Sequence, residues 1–233
     1  MPFVICVTKD NCRHRLDKGM FSIWPIRNCN RVVQQSSSPE VFWFGNYRTS
    51  MKLITKTIPK SLSPSLKAFK PTRISFDHFK TKLKEYLDVI DHKESEENLK
   101  THLMKLLQSL YGQQHLIEQQ ERIDFVIRIG GKKSPAGVLV ESKRRSNKAD
   151  MITASDCNRK AMHELVLYYM RERTNGNTDI RNLIICSEHE FFIFDAKAFE
   201  RNFFKNAAFR KNFDDWAAGR KSDTTTDFFS IIR

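Results

Sequence analysis

The sequence lacks most of the signatures that would assign it at once. Its five cysteines, Cys6, Cys12, Cys29, Cys157 and Cys186, form no CxxC pair, which leaves no disulfide framework and no repeated zinc-ligand spacing. Cys12, His14 and Cys29 make an incomplete and irregular set for that metal. No apolar run approaches the ~18 residues that a bilayer span needs. The opening MPFVICV is too short for a secretory signal and runs straight into TKDN. These absences lead to the expectation of a cytoplasmic protein with reduced thiols and no membrane partner. Neither a GxxxxGK[ST] loop nor a GxGxxG is present, so nothing supports nucleotide-driven phosphoryl transfer. There is no internal repeat. Acids are scarce in one region: residues 1 to 75 hold 13 cations but only Asp10, Asp17 and Glu40 as anions.

What is present suits one domain with a sizeable core and an arm, in 233 residues of which 40% are hydrophobic and 29% charged. Removing the first 75 residues from the totals of 40 cations and 27 anions leaves 27 against 24. The core is therefore balanced and the net charge of +13 belongs mainly to the N-terminal part. Residues 1 to 50 carry no sustained pattern, with QQSSSPE reading as a linker. Met51 opens MKLITKTIPKSL, where translation could start, which would make the first 50 residues an upstream extension. From there to residue 75 the expectation is an extended basic arm, with prolines at 59, 64 and 71 and no acid. Such charge suits a polyanion such as nucleic acid, and equally a solubilising role.

Ordered structure is expected from Ser75, a helix cap, because Phe76, Phe79, Leu83, Leu87 and Ile90 recur at helical spacing. A second helix follows ESEE with a stripe of Leu99, Leu103, Leu106, Leu107 and Leu110. RIDFVIRIGG alternates as a half-buried strand, GGKKSPAG supplies turn residues, and GVLVESK returns as its partner. A third helix over about 156 to 173 buries Met162, Leu165, Val166 and Tyr169. RNLIICS and FFIFDA then read as two short buried strands, and more helix as about 196 to 217. The order implies an α/β fold, a mixed sheet flanked by helices over residues 76 to 221, with 222 to 233 as a tail.

The chemistry concentrates in the hairpin. Asp124 lies on one strand, and Glu141 and Lys143, two apart and so on one face, lie on the next. Adjacent carboxylates repel unless a cation sits between them, and magnesium suits one or two carboxylates with water completing its shell. A lysine beside them can orient a water or steady charge on a phosphate. The plain reading is a solvated strand face, and Asp91-His92-Lys93 and Asp195-Ala196-Lys197 offer the same pattern. Arg144, Arg145 and Lys148 follow directly, placed either to hold phosphates or as a solvated loop.

IDFVI, the glycine turn and GVLVESKR resemble the Asp…Glu-x-Lys core of the PD-(D/E)xK nuclease superfamily. SPAGVLVESKRRSNKADMI, NRKAMHELVLYYMRER and FFIFDAKAFER resemble the N-terminal nuclease domain of Type IIG restriction-modification proteins, over about Met51 to Phe229. The resemblance implies a restriction-endonuclease-like fold and a magnesium-dependent DNA endonuclease. Asp124 and Glu141 would be the metal ligands and Lys143 would act on the attacking water. Ile123 stands where the superfamily's name has a proline, a replacement the superfamily tolerates. Relatives often add a glutamate from the first core helix. Glu96 and Glu97 compete for that place, Glu96 lying nearer the leucine stripe, and an acidic first turn complementing the helix dipole is the plain reading of both. Many also carry Q-x-x-x-Y on the helix after the lysine strand, where this chain has Glu164 in the glutamine's place and Tyr168; the resemblance implies that these two contact DNA, and packing is the plain reading of the tyrosine.

Full-length relatives of this kind continue into an adenine-specific methyltransferase with an NPPY-type motif and a target-recognition region. This sequence has no consecutive prolines, which leads to the expectation of a detached or truncated cleavage domain, its specificity region supplied in cis or in trans. It would hold double-stranded DNA through the backbone, and would dimerise to cut both strands. Two other readings are a non-catalytic DNA-binding remnant and a scaffold for a separate methyltransferase. The second rests on Phe204, Phe209, Phe213 and Trp216 packing outward.

Overall fold

Three apolar segments, IDFVIR, AGVLVES and NLIIC, form the centre of one sheet in the computed structural model, which describes residues 32–35, 53–56, 58–91, 93–120 and 123–220. The strands are β1 (Val32–Gln35), β2 (Leu53–Lys56), β3 (Leu116–Gln120), β4 (Ile123–Arg128), β5 (Ala136–Ser142), β6 (Asn182–Cys186) and β7 (Phe191–Asp195). The helices are α1 (Ile58–Ser61), α2 (Pro64–Ala68), α3 (Arg73–Val89), α4 (Glu96–Tyr111), α5 (Lys160–Thr174), α6 (Ala196–Phe199) and α7 (Ala207–Ala217), with a π-helical turn at Glu200–Phe204.

The main sheet runs β3-β4-β5-β6-β7. Every pairing is antiparallel except β5 with β6, which is parallel. The chain crosses between those two strands through α5, as a parallel pair requires. This is the mixed α/β sheet expected from the order of elements. On one face α3 and α4 bring Leu83, Leu87, Leu99, Leu103 and Leu106 against Phe125, Val138 and Val140. On the other, α5 brings Met162, Leu165 and Val166 against Val126, Leu139, Leu183 and Ile185. With both faces covered, β5 is buried along its whole length, which explains why it reads as an apolar run and not as an alternation. For the same reason β4 is more than half-buried: Phe125 and Val126 face opposite layers and both are fully enclosed.

Several boundaries differ from the expectation. β3 is an unforeseen edge strand, because only Ile117 of LIEQQ is buried and a polar edge leaves little alternation to read. The cap of α3 is Thr72, whose hydroxyl accepts from the Ser75 backbone N–H at 3.2 Å. The first turn faces solvent, with Ile74 83% exposed, so the buried periodicity starts later than the helix. α5 starts at Lys160 because the Asp156 carboxylate accepts from the Asn158 N–H at 3.1 Å and closes a turn there. The basic stretch of 51 to 75 is not uniformly extended: β2 pairs with β1, and Pro59 and Pro64 sit in the first turns of α1 and α2, where a missing N–H costs nothing. Of the patternless residues 1 to 50, only β1 is described, and the tail from 222 to 233 lies outside the described residues.

Phe209, Phe213 and Trp216 are buried in the α5 layer with Phe199 and Phe203, and Phe204, partly buried, packs against the same cluster. That removes the sequence basis for an outward-facing aromatic surface. The π turn places Glu200 beneath this cluster, where it accepts from Tyr169 Oη at 2.7 Å and from Arg173 Nε and Nη2 at 2.9 and 3.1 Å. The Arg173 guanidinium, hydrogen-bonded to it, holds the Glu200 carboxyl below its ordinary 4.5. The stability this contributes is present above that value and lost as pH falls through the lower folded value. Glu200→Gln is expected to cost roughly 1–3 kcal/mol at pH ~7, as loss of a charged hydrogen bond does, and to cost less in acid. Urea denaturation at two pH values measures both.

Candidate active site

At the end of the sheet, strand register decides which side chains meet. Phe125 pairs with Val140 and Val126 with Leu139. One further step in that register sets Asp124 opposite Glu141. β5 carries the chain on, and its Ser142 N–H donates to Asp124 Oδ2 at 2.8 Å. The strand acids thus share one end of the sheet, and the two helix layers close on it from opposite sides.

From the α5 side comes Glu164. The Lys143 ammonium pairs with Glu164 Oε2 at 2.8 Å and donates a hydrogen bond to Glu141 Oε1. The second Glu141 oxygen, Oε2, is buried and has no hydrogen-bond partner among the described residues. Tyr168, one turn beyond Glu164, is buried and lies within the field of Glu141, Glu164 and Asp124. Burial, then those three charges, raise its phenol well above the ordinary value, so it remains a neutral donor.

From the α4 side comes a residue that the sequence pattern did not single out. Lys100 is almost fully buried. Its ammonium lies 2.8 Å from Asp124 Oδ1, 3.0 Å from Glu96 Oε1 and 3.1 Å from Glu97 Oε1. A signal was available: Lys100 follows Leu99 and precedes Leu103 by one turn, an inward position that lysine rarely takes without a partner. Glu96 is the more enclosed glutamate, its side chain 28% exposed against 72% for Glu97, as the helical wheel implied.

The electrostatics are unbalanced. Asp124, Glu141, Glu164, Glu96 and Glu97 face Lys100, Lys143 and, 3.9 Å from Glu164, Lys160: five carboxylates against three ammonium groups. Burial, then the neighbouring charge of Asp124, pushes the Glu141 carboxyl well above its ordinary value. Burial likewise raises Asp124, partly offset by Lys100 and the Ser142 N–H. Burial works against the charge of Lys143, but Glu141 and Glu164 outweigh it and hold the ammonium well above its ordinary value. Lys143 is therefore a cation and not a free base.

The donor chemistry fits magnesium, which needs one or two carboxylates and fills its remaining positions with water. Asp124 and Glu141 would hold it, and the partnerless Glu141 oxygen is the atom best prepared for it. Among the described residues no group of three or more His, Cys, Asp or Glu side chains is arranged to hold a metal ion. The competing patterns are local caps: Asp91 Oδ1 accepts from the Lys93 N–H at 3.0 Å, and Asp195 Oδ1 accepts from the Lys197 N–H at 2.9 Å at the start of α6.

Arg144, Arg145 and Lys148 lie on the loop after β5, with Arg145 and Lys148 exposed. The β6–β7 turn anchors that loop. Glu188 accepts from the Arg145 backbone N–H at 3.0 Å through Oε2, and the Tyr86 hydroxyl donates to the Glu188 carbonyl at 3.2 Å. The loop's backbone is therefore fixed while the Arg145 side chain projects to solvent.

A family model described as a domain of unknown function, DUF7149, matches residues 56–232, and so takes in the sheet, both helix layers and every site residue above. No curated protein and no solved structure matches the chain. No helix among the described residues is long and apolar enough to cross a membrane.

Proposed function

We propose that this chain, which belongs to the DUF7149 family, is a magnesium-dependent DNA endonuclease domain of restriction-modification type. One observation carries the reading. Asp124, Glu141 and Lys143, which a solvated strand face would leave in water, share an enclosed site in which Glu141 Oε2 has no hydrogen-bond partner among the described residues. Acids enclosed with too few cations are costly to the fold, and such groups cluster at functional sites; their number here exceeds the lysines beside them.

Bound magnesium would supply a Lewis acid for the scissile phosphate and a more acidic water. The remaining roles fall to the chain itself. Asp124 and Glu141 present oxygens held in place by the Ser142 N–H and by Lys143. Lys143, kept charged by Glu141 and Glu164, cannot accept a proton; it donates hydrogen bonds toward the attacking water or a phosphate oxygen and steadies the charge that develops there. Glu164 fixes the direction of that ammonium. Arg145 and Lys148 lie where they can pair with neighbouring phosphates, which positions double-stranded DNA without reading its sequence.

Incubation with supercoiled plasmid and magnesium tests the reading. Nicking that Asp124→Ala and Lys143→Ala both abolish supports it. DNA binding without nicking in the parent chain supports the non-catalytic remnant instead. Arg145→Ala and Lys148→Ala are each expected to weaken DNA binding for all sequences alike and to reduce the salt slope by about 1, the change that follows when one phosphate goes unneutralised. Binding titrations across a salt series measure that slope.

A further inference from the structure

We propose that Lys100 is a built-in cation occupying the place that a second divalent ion would take between α4 and Asp124, so that the site accepts one divalent ion and not two. The inference rests on the metal-dependent reading above and deepens it. An ammonium has three N–H donors, and Lys100 has three carboxylates around it, from Asp124, Glu96 and Glu97, at 2.8 to 3.1 Å. An exposed pair one turn apart on a helix would explain Glu97, but it explains neither the burial of Lys100 nor its bond to an acid on another element.

The geometry separates the site into two halves. On the α4 half, the oxygens of Asp124 and Glu96 that could share an ion already share an ammonium. On the β5 half, Glu141 keeps one buried oxygen with no hydrogen-bond partner among the described residues. An ammonium neutralises one charge where a divalent ion neutralises two, and it can hold no activated water. Any ion that activates water is thereby directed to the Glu141 half, and Lys100 serves as a positioning residue that fixes Asp124 toward it.

Counting bound manganese by electron paramagnetic resonance on the full chain, without DNA, tests this independently of turnover. The parent chain and Lys100→Arg are expected to bind one Mn2+ each, Lys100→Met to bind two, and Lys100→Met with Glu96→Gln to return to one. Glu96→Gln alone is expected to retain the parent's ion with its affinity unchanged within ~threefold, less than 1 kcal/mol. A folded Lys100→Met that binds one ion overturns the inference and leaves the metal-dependent reading standing. Loss of the ion in Glu96→Gln does the same, and it decides the question if Lys100→Met fails to fold. A parent chain that binds no Mn2+ overturns both.

Discussion

Replacing Glu141 by glutamine is expected to lower magnesium-dependent nicking by at least ~100-fold while making the protein harder to unfold at neutral pH. The activity loss follows from its proposed place as a metal-holding carboxylate. Groups that merely orient ligands are worth roughly 10- to 100-fold, so a direct ligand sets at least the upper end. The stability gain follows from the same burial. The Glu141 side chain is 1% exposed and lies beside Asp124 and Glu164 as well as Lys143. Its folded pKa is raised above the ordinary 4.5, so the folded state favours the protonated form. The fold is best served below pH 4.5, and loses stability as pH rises through the raised value. Glutamine behaves as a side chain that never ionises, and still offers an oxygen to Lys143. The gain should therefore be present at pH ~7.5 and fade toward pH ~4, where the parent carboxyl is protonated as well. Each kcal/mol relieved would raise Tm by about 2–4 °C in a chain of this size. Melting curves at the two pH values, without metal, measure it. A Glu141→Gln protein less stable than its parent at pH ~7.5 would show that Lys143 alone compensates the buried charge.

Lys143→Met should do the reverse to the fold and the same to the activity. Removing one partner from a buried ion pair leaves the other uncompensated and costs about 3–5 kcal/mol. Here two carboxylates lose their common cation, because the ammonium pairs with both Glu141 and Glu164. Part of the cost is recovered in acid, where Glu141 takes up a proton, and part by magnesium, which would stabilise the folded state by mass action. Nicking should fall by ~10²–10³, the loss typical of removing one donor that steadies transition-state charge. Arginine should not restore it, since a planar fork cannot replace a compact ammonium held between two acids. Urea denaturation with and without magnesium, together with plasmid nicking, separates the two effects. The opposite signs of the two stability changes, at equal loss of activity, identify an enclosed site with excess negative charge. A solvated strand face would give neither change.

Local pattern was enough to show much of this protein. The helical spacing of Leu99, Leu103 and Leu106, the run GVLVES and the glycine turn before it determined α4, β5 and the hairpin, because each depends on residues within a few positions of one another. The shared face of Glu141 and Lys143 was legible for the same reason, since strand geometry fixes it. Tertiary structure decided the rest. Burial of both sheet faces enclosed Phe125 and Val126 on opposite sides of a strand expected to be only half-buried, and only the assembled sheet shows β3 as its edge. The three acid-lysine patterns look alike in sequence, yet in two of them the acid closes on its own backbone, while in the third Lys143 reaches Glu164 on another element. Lys100 belongs to the site only because α4 packs across the sheet and delivers its ammonium to Asp124, a pairing that depends on the angle and register of two elements and not on any spacing along the chain.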